Sequence, residues 1–278
     1  MSSNRKQRER NTAVLPLLHH TIIGTPRKGV LVFLHGFMGR GEDWIDLANE
    51  ISSDFQCILV DLPGHGRSVN FRTGEIWSME NTARWVLHLL QETTTPPVNL
   101  VGYSMGGRLA LYLALIYPHF FRKVVLESAS PGLKDKQARE ARIQLDETRA
   151  QQIVSEPMEI FLQKWYSQPL FDTLQQSHKV QPLIASRKQN DPRALAKSLR
   201  EMGTGVQPPL WDRLPELKIP LLLIVGEKDF KFCTIAREMS AQNKQVEVIT
   251  VEGCGHNVHL EAPEKFKKIL LDFLKRKE

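Results

Sequence analysis

The chain has 278 residues, of which 41% are hydrophobic and 24% charged, a composition typical of globular proteins that can bury a sizeable core. No apolar run has the length that a membrane-spanning helix needs, and the first ten residues lack the apolar stretch of a secretory signal. We therefore expect a cytoplasmic protein with no membrane partner.

The formal net charge of +6 is confined to two segments. Residues 1–10 contain four Lys/Arg and one Glu, and residues 131–209 contain twelve Lys/Arg and nine Asp/Glu, so the rest of the chain is neutral. A nucleic-acid-binding face needs a more continuous basic surface, and we predict no nucleic-acid partner. Residues 1–12 are predicted to be a disordered basic tail.

Apolar, β-rich segments alternate with helical ones along most of the chain. The predicted strands are 30–35, 56–64, 98–104, 123–129, 220–227 and 246–253, and the predicted helices are 78–92, 105–117 and 261–277. Continuous apolar strands that alternate with helices indicate strands buried on both faces. The predicted fold class is α/β, with a mostly parallel sheet flanked by helices.

The alternation stops between Ser130 and Leu210. This segment has no strand-like run and is rich in Gln, Arg, prolines and helix formers, which predicts several short helices. The predicted organisation is a core of residues 13–130 and 210–278, with a helical cap of residues 131–209 inserted into it.

A predicted strand runs directly into a predicted helix through GYSMG at 102–106. This G-x-S-x-G pattern holds the serine in a sharp turn, because Gly102 and Gly106 lack the side chains that would collide there. The turn exposes the Ser104 hydroxyl at the start of a helix. Ser104 is the predicted nucleophile or base.

A serine needs a histidine to accept its proton and a carboxylate to orient that histidine. In this arrangement the acid and then the histidine follow Ser104 in the chain. Asp229 and His256 each come directly after a predicted strand, where the loops at one sheet edge converge. Glu127 is the alternative acid, more simply explained as a hydrogen-bonded wall residue, and His259 is the weaker alternative base.

HGFMG at 35–39 follows the first strong strand and predicts half of an oxyanion hole. The backbone N–H groups of Phe37 and Met105 are expected to converge on a developing negative oxygen. His35 and His65 are predicted to be structural loop residues. No metal is predicted, because His256 and His259 lack a third donor at ligand spacing, and the glycines after residue 35 do not match a dinucleotide-binding pattern. No cofactor is expected.

These motifs resemble the α/β-hydrolase superfamily over the whole chain after the tail. A narrower resemblance, to the family of 2-succinyl-6-hydroxy-2,4-cyclohexadiene-1-carboxylate synthases of menaquinone and phylloquinone biosynthesis, depends on GYSMGGR at 102–108, LESASPGL at 126–133, KWYSQPLF at 164–171 and ASRKQN at 185–190.

The narrower resemblance implies a small tricarboxylate substrate from which pyruvate is eliminated without a cofactor. Arginines suit such a substrate, since their planar, permanently charged forks bind carboxylates. The substrate-binding residues implied by the resemblance are Tyr103, Arg108, Arg142, Trp165, Tyr166 and Arg187.

Two other functions remain open at this point. The same triad would serve a hydrolase that cleaves esters or carbon–carbon bonds in a small acidic substrate. A receptor could instead keep the pocket for ligand binding and use the predicted cap as a partner surface. A protein that only binds a ligand does not need an intact triad beside both predicted oxyanion donors. The sequence therefore favours an enzyme over a receptor.

Overall fold

A computed structural model of the protein describes residues 16–276, so the predicted basic tail lies outside the described residues. Seven strands form one sheet in the order β1-β3-β2-β4-β5-β6-β7, in which only β1 is antiparallel to its neighbour. The strands are β1 His20–Ile23, β2 Val30–Leu34, β3 Gln56–Val60, β4 Val98–Tyr103, β5 Phe121–Glu127, β6 Leu221–Gly226 and β7 Val246–Val251. This mostly parallel sheet confirms the predicted fold class.

Six strands agree with the sequence prediction, and β1 was missed. β1 has only four residues at the edge of the sheet, and its side chains are exposed or half-buried, so its sequence carries little apolar signal. Central strands such as β2 and β6 are buried throughout. The expectation of burial on both faces is wrong for β7, because this strand lies at the opposite edge and has several exposed or half-buried positions.

Helices cover both faces of the sheet. α2, α3 and α9 pack on one face and α1 and α11 on the other, each through buried apolar side chains. The helices are α1 Ile45–Ile51, α2 Met79–Thr93, α3 Met105–Ile116, α4 Lys136–Ser155, α5 Met158–Tyr166, α6 Asp172–Gln176, α7 Val180–Arg187, α8 Pro192–Met202, α9 Phe230–Gln242, α10 Val258–Glu261 and α11 Pro263–Lys275. The three helices predicted from the sequence correspond to α2, α3 and α11.

Five helices, α4 to α8, lie between β5 and β6 in the chain and form the helical insertion. They share an apolar cluster that includes Phe161, Leu162 and Leu195 and also contacts Met38 of the core. The expectation of short helices is wrong for α4, which has 20 residues and begins where the Asp135 carboxylate accepts a hydrogen bond from the Ala138 N–H. Helices α4 to α8 span residues 136–202.

α3 packs very closely on the carboxyl end of β2. A Cβ atom at Gly106 would collide with the backbone oxygens of Leu34 and His35, whereas one at Gly74 would meet nothing within 4 Å. Gly106 therefore sets the separation between the helix and the sheet.

We expect Gly106→Ala to lower the free energy of unfolding by about 1–3 kcal/mol or more, because rigid backbone must move to admit the methyl group. Urea denaturation measures the change. The control variant, Gly74→Ala, should leave the midpoint almost unchanged. Equal stability of the two variants would contradict the close packing of α3 on β2.

Candidate active site

Ser104 forms the turn between β4 and α3. Its backbone has φ 48° and ψ −105°, a left-handed conformation that is strained for a side-chain-bearing residue. The turn is held on both sides, since the Ser104 N–H donates to the Glu127 carbonyl at 2.9 Å and the Arg108 N–H donates to the Ser104 carbonyl at 2.9 Å. The neighbouring Gly102 has no room for a side chain, because a Cβ there would lie 2.5 Å from the Gly106 oxygen.

The predicted triad residues form one hydrogen-bonded chain. His256 Nδ1 lies 2.6 Å from Asp229 Oδ2, and His256 Nε2 lies 3.2 Å from Ser104 Oγ. Asp229 and His256 are buried, with 5% and 2% of their surface exposed. Because an ionised carboxylate can only accept, Nδ1 donates to Asp229 and leaves Nε2 free to accept the serine proton. The loops after β6 and β7 therefore bring an acid and a base to the serine.

The two predicted oxyanion donors line the cavity beside Ser104. Met105 is the first residue of α3, where backbone N–H groups have no acceptor within the helix. Within residues 16–276, neither the Phe37 nor the Met105 N–H has a protein acceptor. Both amides are thus available to a ligand oxygen.

His35 and His65 brace the loop that carries Phe37. His35 Nε2 accepts a hydrogen bond from the Leu62 N–H at 3.0 Å, and His65 Nε2 accepts one from the Met38 N–H at 3.1 Å. Burial lowers the pKa of His65 to about 3 and also lowers the pKa of His35, so both rings stay neutral. The prediction that these histidines are structural is confirmed by these contacts.

Glu127 and His259, the alternative acid and base, bind each other instead of Ser104. The fully buried Glu127 carboxylate accepts hydrogen bonds from the His259 N–H at 2.9 Å and from His259 Nδ1 at 2.7 Å. The His259 ring stacks on Trp44, with ring centroids 4.5 Å apart. Glu127 is hydrogen-bonded as expected, but of this pair only His259 lines the cavity.

A cavity of about 1010 Å³ opens above Ser104, between the carboxyl edge of the sheet and the helical insertion. It brings together all of the substrate-binding residues predicted from the sequence: Tyr103, Arg108, Arg142, Trp165, Tyr166 and Arg187. The triad residues, Phe37 and Met105 line the same cavity. Side chains from the core and from the insertion therefore line the same cavity.

Arg187 has a partner that the sequence did not reveal. Its Nη1 and Nη2 atoms donate to the two carboxylate oxygens of Asp43 at 2.7 and 2.6 Å, with 6% and 18% of the two side chains exposed. Burial alone would raise the pKa of Asp43, but the Arg187 guanidinium outweighs it and holds this pKa below its ordinary value. The pair joins the insertion to the loop after β2.

Arg108 is buried and donates to neutral acceptors, the Gln207 side chain at 2.8 Å and the Met202 carbonyl at 2.9 Å. Burial lowers its pKa to about 10. Arg142 donates through Nε to Asp146 at 2.8 Å. These contacts leave Arg108 without a carboxylate in direct contact.

Sequence reasoning missed Arg149 and Lys231, which line the same cavity. On a helical segment such residues have the pattern of ordinary solvated charges, so only their three-dimensional position distinguishes them. The three cysteines, Cys57, Cys233 and Cys254, are buried and form no disulfide.

Residues 16–276 contain neither a metal-binding cluster nor a membrane-spanning helix. No group of three or more His, Cys, Asp or Glu side chains is arranged to hold a metal ion. In the same range, no helix has the length and apolar character required to cross a bilayer.

The sheet and the strand-to-helix serine turn define the α/β-hydrolase class, and residues 29–263 match the alpha/beta hydrolase fold family. The chain is 38% identical over 272 residues to "Protein PHYLLO, chloroplastic" of Arabidopsis thaliana, a match that covers 92% of this chain and 16% of that longer protein. It is 33% identical over 255 residues to the 2-succinyl-6-hydroxy-2,4-cyclohexadiene-1-carboxylate synthase of Enterobacter sp. (strain 638), with 92% and 95% of the two chains covered.

The solved structure of MenH from S. aureus superposes with a TM-score of 0.86 at 32% identity, covering 92% of this chain and 98% of that one. The chain therefore belongs to the α/β-hydrolase superfamily and, within it, to the family of 2-succinyl-6-hydroxy-2,4-cyclohexadiene-1-carboxylate synthases. The resemblance noted in the sequence is confirmed.

The buried Asp43–Arg187 pair should contribute to stability. We expect Asp43→Asn to lower the free energy of unfolding by about 3 kcal/mol, because it leaves the Arg187 charge buried without a counter-ion. The matched control is Glu216→Gln, which breaks the exposed Arg213–Glu216 pair and should cost less than about 1 kcal/mol. Equal losses in urea denaturation would mean that the Asp43 pair acts as a surface contact.

The same pair should make stability depend on pH. The pKa of Asp43 is lowered in the folded protein, so the unfolded chain takes up a proton first as the pH falls through the ordinary aspartate value of about 3.9. The stabilisation is complete above that value and is lost below it. The stability difference between the wild type and Asp43→Asn should therefore shrink as the pH falls from about 7 to about 3. A constant difference would contradict this ionisation.

Proposed function

We propose that this protein eliminates pyruvate from 2-succinyl-5-enolpyruvyl-6-hydroxy-3-cyclohexene-1-carboxylate and releases 2-succinyl-6-hydroxy-2,4-cyclohexadiene-1-carboxylate. The observation that carries the proposal is the Ser104–His256–Asp229 hydrogen-bonded chain at the base of a cavity with several arginines. The named relative from Enterobacter supports this choice of reaction, because the chain covers 95% of that synthase.

The triad acts as a base in this proposal, rather than as a covalent nucleophile. His256 Nε2 accepts the Ser104 proton, and the resulting alkoxide removes the proton from the ring carbon that bears the succinyl group. Asp229 stabilises the imidazolium and fixes its orientation through the 2.6 Å contact to Nδ1. The first proton transfer runs along the hydrogen bond from Ser104 Oγ to His256 Nε2.

The removed proton lies next to the succinyl ketone, so negative charge develops on the ketone oxygen. The N–H groups of Phe37 and Met105 stabilise that oxygen, an interaction for which one donor is worth about 3 kcal/mol in related sites. The electron pair of the broken C–H bond forms a ring double bond and the existing double bond shifts. The C–O bond to the enolpyruvyl group then breaks, and pyruvate leaves as its enolate and takes up a proton.

The substrate-binding side chains are proposed to be Tyr103, Arg108, Arg142, Trp165, Tyr166 and Arg187, all of which line the cavity. The aromatic members offer apolar faces to the ring, and the arginines offer positive charge to its carboxylates. Proton abstraction and elimination need only protein groups in this scheme, so it includes no cofactor. The reaction is proposed to take place in the cytoplasm.

Incubation of the purified protein with the cyclohexene substrate tests the function directly. We expect one pyruvate to be released for each substrate molecule consumed. A coupled lactate dehydrogenase assay measures the pyruvate, and the absorbance of the conjugated diene measures the second product. A hydrolase would instead cleave small acidic esters without forming pyruvate, and a receptor would bind the substrate unchanged. Either of these outcomes would overturn the proposal.

Removal of any triad residue should abolish most of the activity. Ser104→Ala, His256→Ala and Asp229→Asn are each expected to lower kcat by about 10³-fold or more, because the three groups work as a unit. Circular dichroism should detect an intact fold in each variant. If His259→Ala were inactive while folded and His256→Ala kept full activity, the assignment of the base would be wrong.

A further inference from the structure

The cavity contains more positive charge than the predicted arginines supply. Arg149 on α4 has 21% of its side chain exposed and donates through Nη2 to the Gln168 side chain at 2.7 Å. Its guanidinium lies 5.2 Å from the centre of the Trp165 ring, within cation–π range. Trp165 in turn packs against Phe37, with ring centroids 5.4 Å apart. Arg149 therefore contacts Trp165, which in turn contacts Phe37 in the loop that follows β2.

Lys231 approaches the cavity from the core, on the first turn of α9. Its ammonium lies 5.7 Å from the ring centre of Phe232, and that ring packs 4.7 Å from the His256 ring. Within residues 16–276, Lys231 forms no ion pair with a carboxylate. Lys231 lines the cavity beside the triad without such a direct ion pair, so its ammonium is available to a ligand.

The charges of these residues interact. Burial lowers the pKa of Lys231 and that of Arg149, and the nearby Arg142 charge lowers both further. Asp146 is the carboxylate that contacts the group, at 2.8 Å from Arg142 Nε and 3.9 Å from Arg149 Nη1. Asp146 therefore faces Arg142 and Arg149, and Asp229 acts on Lys231 at longer range, whereas Arg187 is paired directly with Asp43. The uncompensated positive charge lies on the α4 and α9 side of the cavity.

Exposure separates this group from the deeper arginines. Arg142 and Arg149 have 26% and 21% of their side chains exposed, whereas the Arg187 side chain has 6% and Arg108 is buried. Phe230, next to Lys231, lines the cavity and is 77% exposed, which puts this end at the solvent opening. Ser104 and the three cations line the same cavity, so a ligand bound there can contact both.

We propose that Arg142, Arg149 and Lys231 form a carboxylate subsite at the mouth of the cavity that binds the terminal carboxylate of the substrate's keto-acid arm. The inference rests on the proposed function and adds Arg149 and Lys231 to the groups that recognise the substrate. Helix α4 of the insertion and helix α9 of the core then hold one carboxylate between them.

Equilibrium binding tests the subsite without requiring turnover. The probe is 4-oxo-4-phenylbutanoate, which carries a keto-acid arm on an unreactive ring, and 1-phenylbutan-1-one is its uncharged counterpart. We expect Arg149→Ala to raise the Kd of the acid about tenfold or more and Lys231→Ala to raise it about three- to tenfold, as measured by isothermal titration calorimetry. Binding of the ketone should change less than about twofold in both variants.

Two controls remove cations from the same helices without reaching the cavity. Lys136→Ala on α4 and Arg237→Ala on α9 should bind the acid as the wild type does, since Lys136 pairs with Glu140 on the surface and Arg237 is exposed. If Arg149→Ala does not fold, Arg149→Gln removes the same charge and replaces it in the binding measurement. The subsite is wrong if the wild type does not bind the acid, if either cavity variant binds it normally, or if ketone binding falls in parallel.

Kinetics distinguish this inference from the proposed function. If pyruvate is released, Arg149→Ala and Lys231→Ala should raise KM much more than they lower kcat, because both lie away from the reacting carbon. A protein that releases no pyruvate but follows the expected binding pattern would overturn the proposed reaction and keep the carboxylate subsite.

Discussion

The left-handed backbone at Ser104 is the constraint on which the rest of the active site depends. β4 ends at Tyr103 and α3 begins at Met105, so a single residue must reverse the chain direction. The strain at φ 48° is tolerated because hydrogen bonds fix both sides of the turn and Gly106 lets α3 approach β2. The same geometry points the serine hydroxyl and the first amide of α3 into one space. Loops that leave parallel neighbouring strands converge there as well.

Two histidine–carboxylate pairs lie side by side at this sheet edge, and their surroundings give them different roles. His256 and His259 are three residues apart, and the Tyr103 ring packs edge-on against both, with centroids 5.5 and 4.9 Å away. Only His256 contacts Ser104, whereas His259 is held between Glu127 and Trp44. The packing therefore holds His259 away from Ser104 and leaves His256 as the histidine that contacts it.

Most of the core and the triad could be predicted from the sequence, because buried parallel strands and the serine turn impose strong local patterns. Asp229 and His256 were found since each directly follows such a strand. The edge strand β1 and the length of helix α4 were missed because their residues have little apolar periodicity. Charge partners were also missed, since Asp43 and Arg187 are 144 positions apart and no local pattern connects them.

The contacts made by the end of α7 connect the helical insertion to the loop that carries the proposed oxyanion donor Phe37. Arg187 binds Asp43, the Asn190 side chain donates to the Met38 carbonyl at 2.9 Å, and Arg40 donates to the Ser186 carbonyl at 2.8 Å. All three contacts fasten the insertion to the loop that follows β2, and this loop carries the Phe37 amide. Any shift of α7 must therefore move that amide or break a buried ion pair. Because a displacement of about 1 Å can cost a catalytic site much of its rate, docking of the insertion is physically coupled to the position of the Phe37 amide, the proposed oxyanion donor.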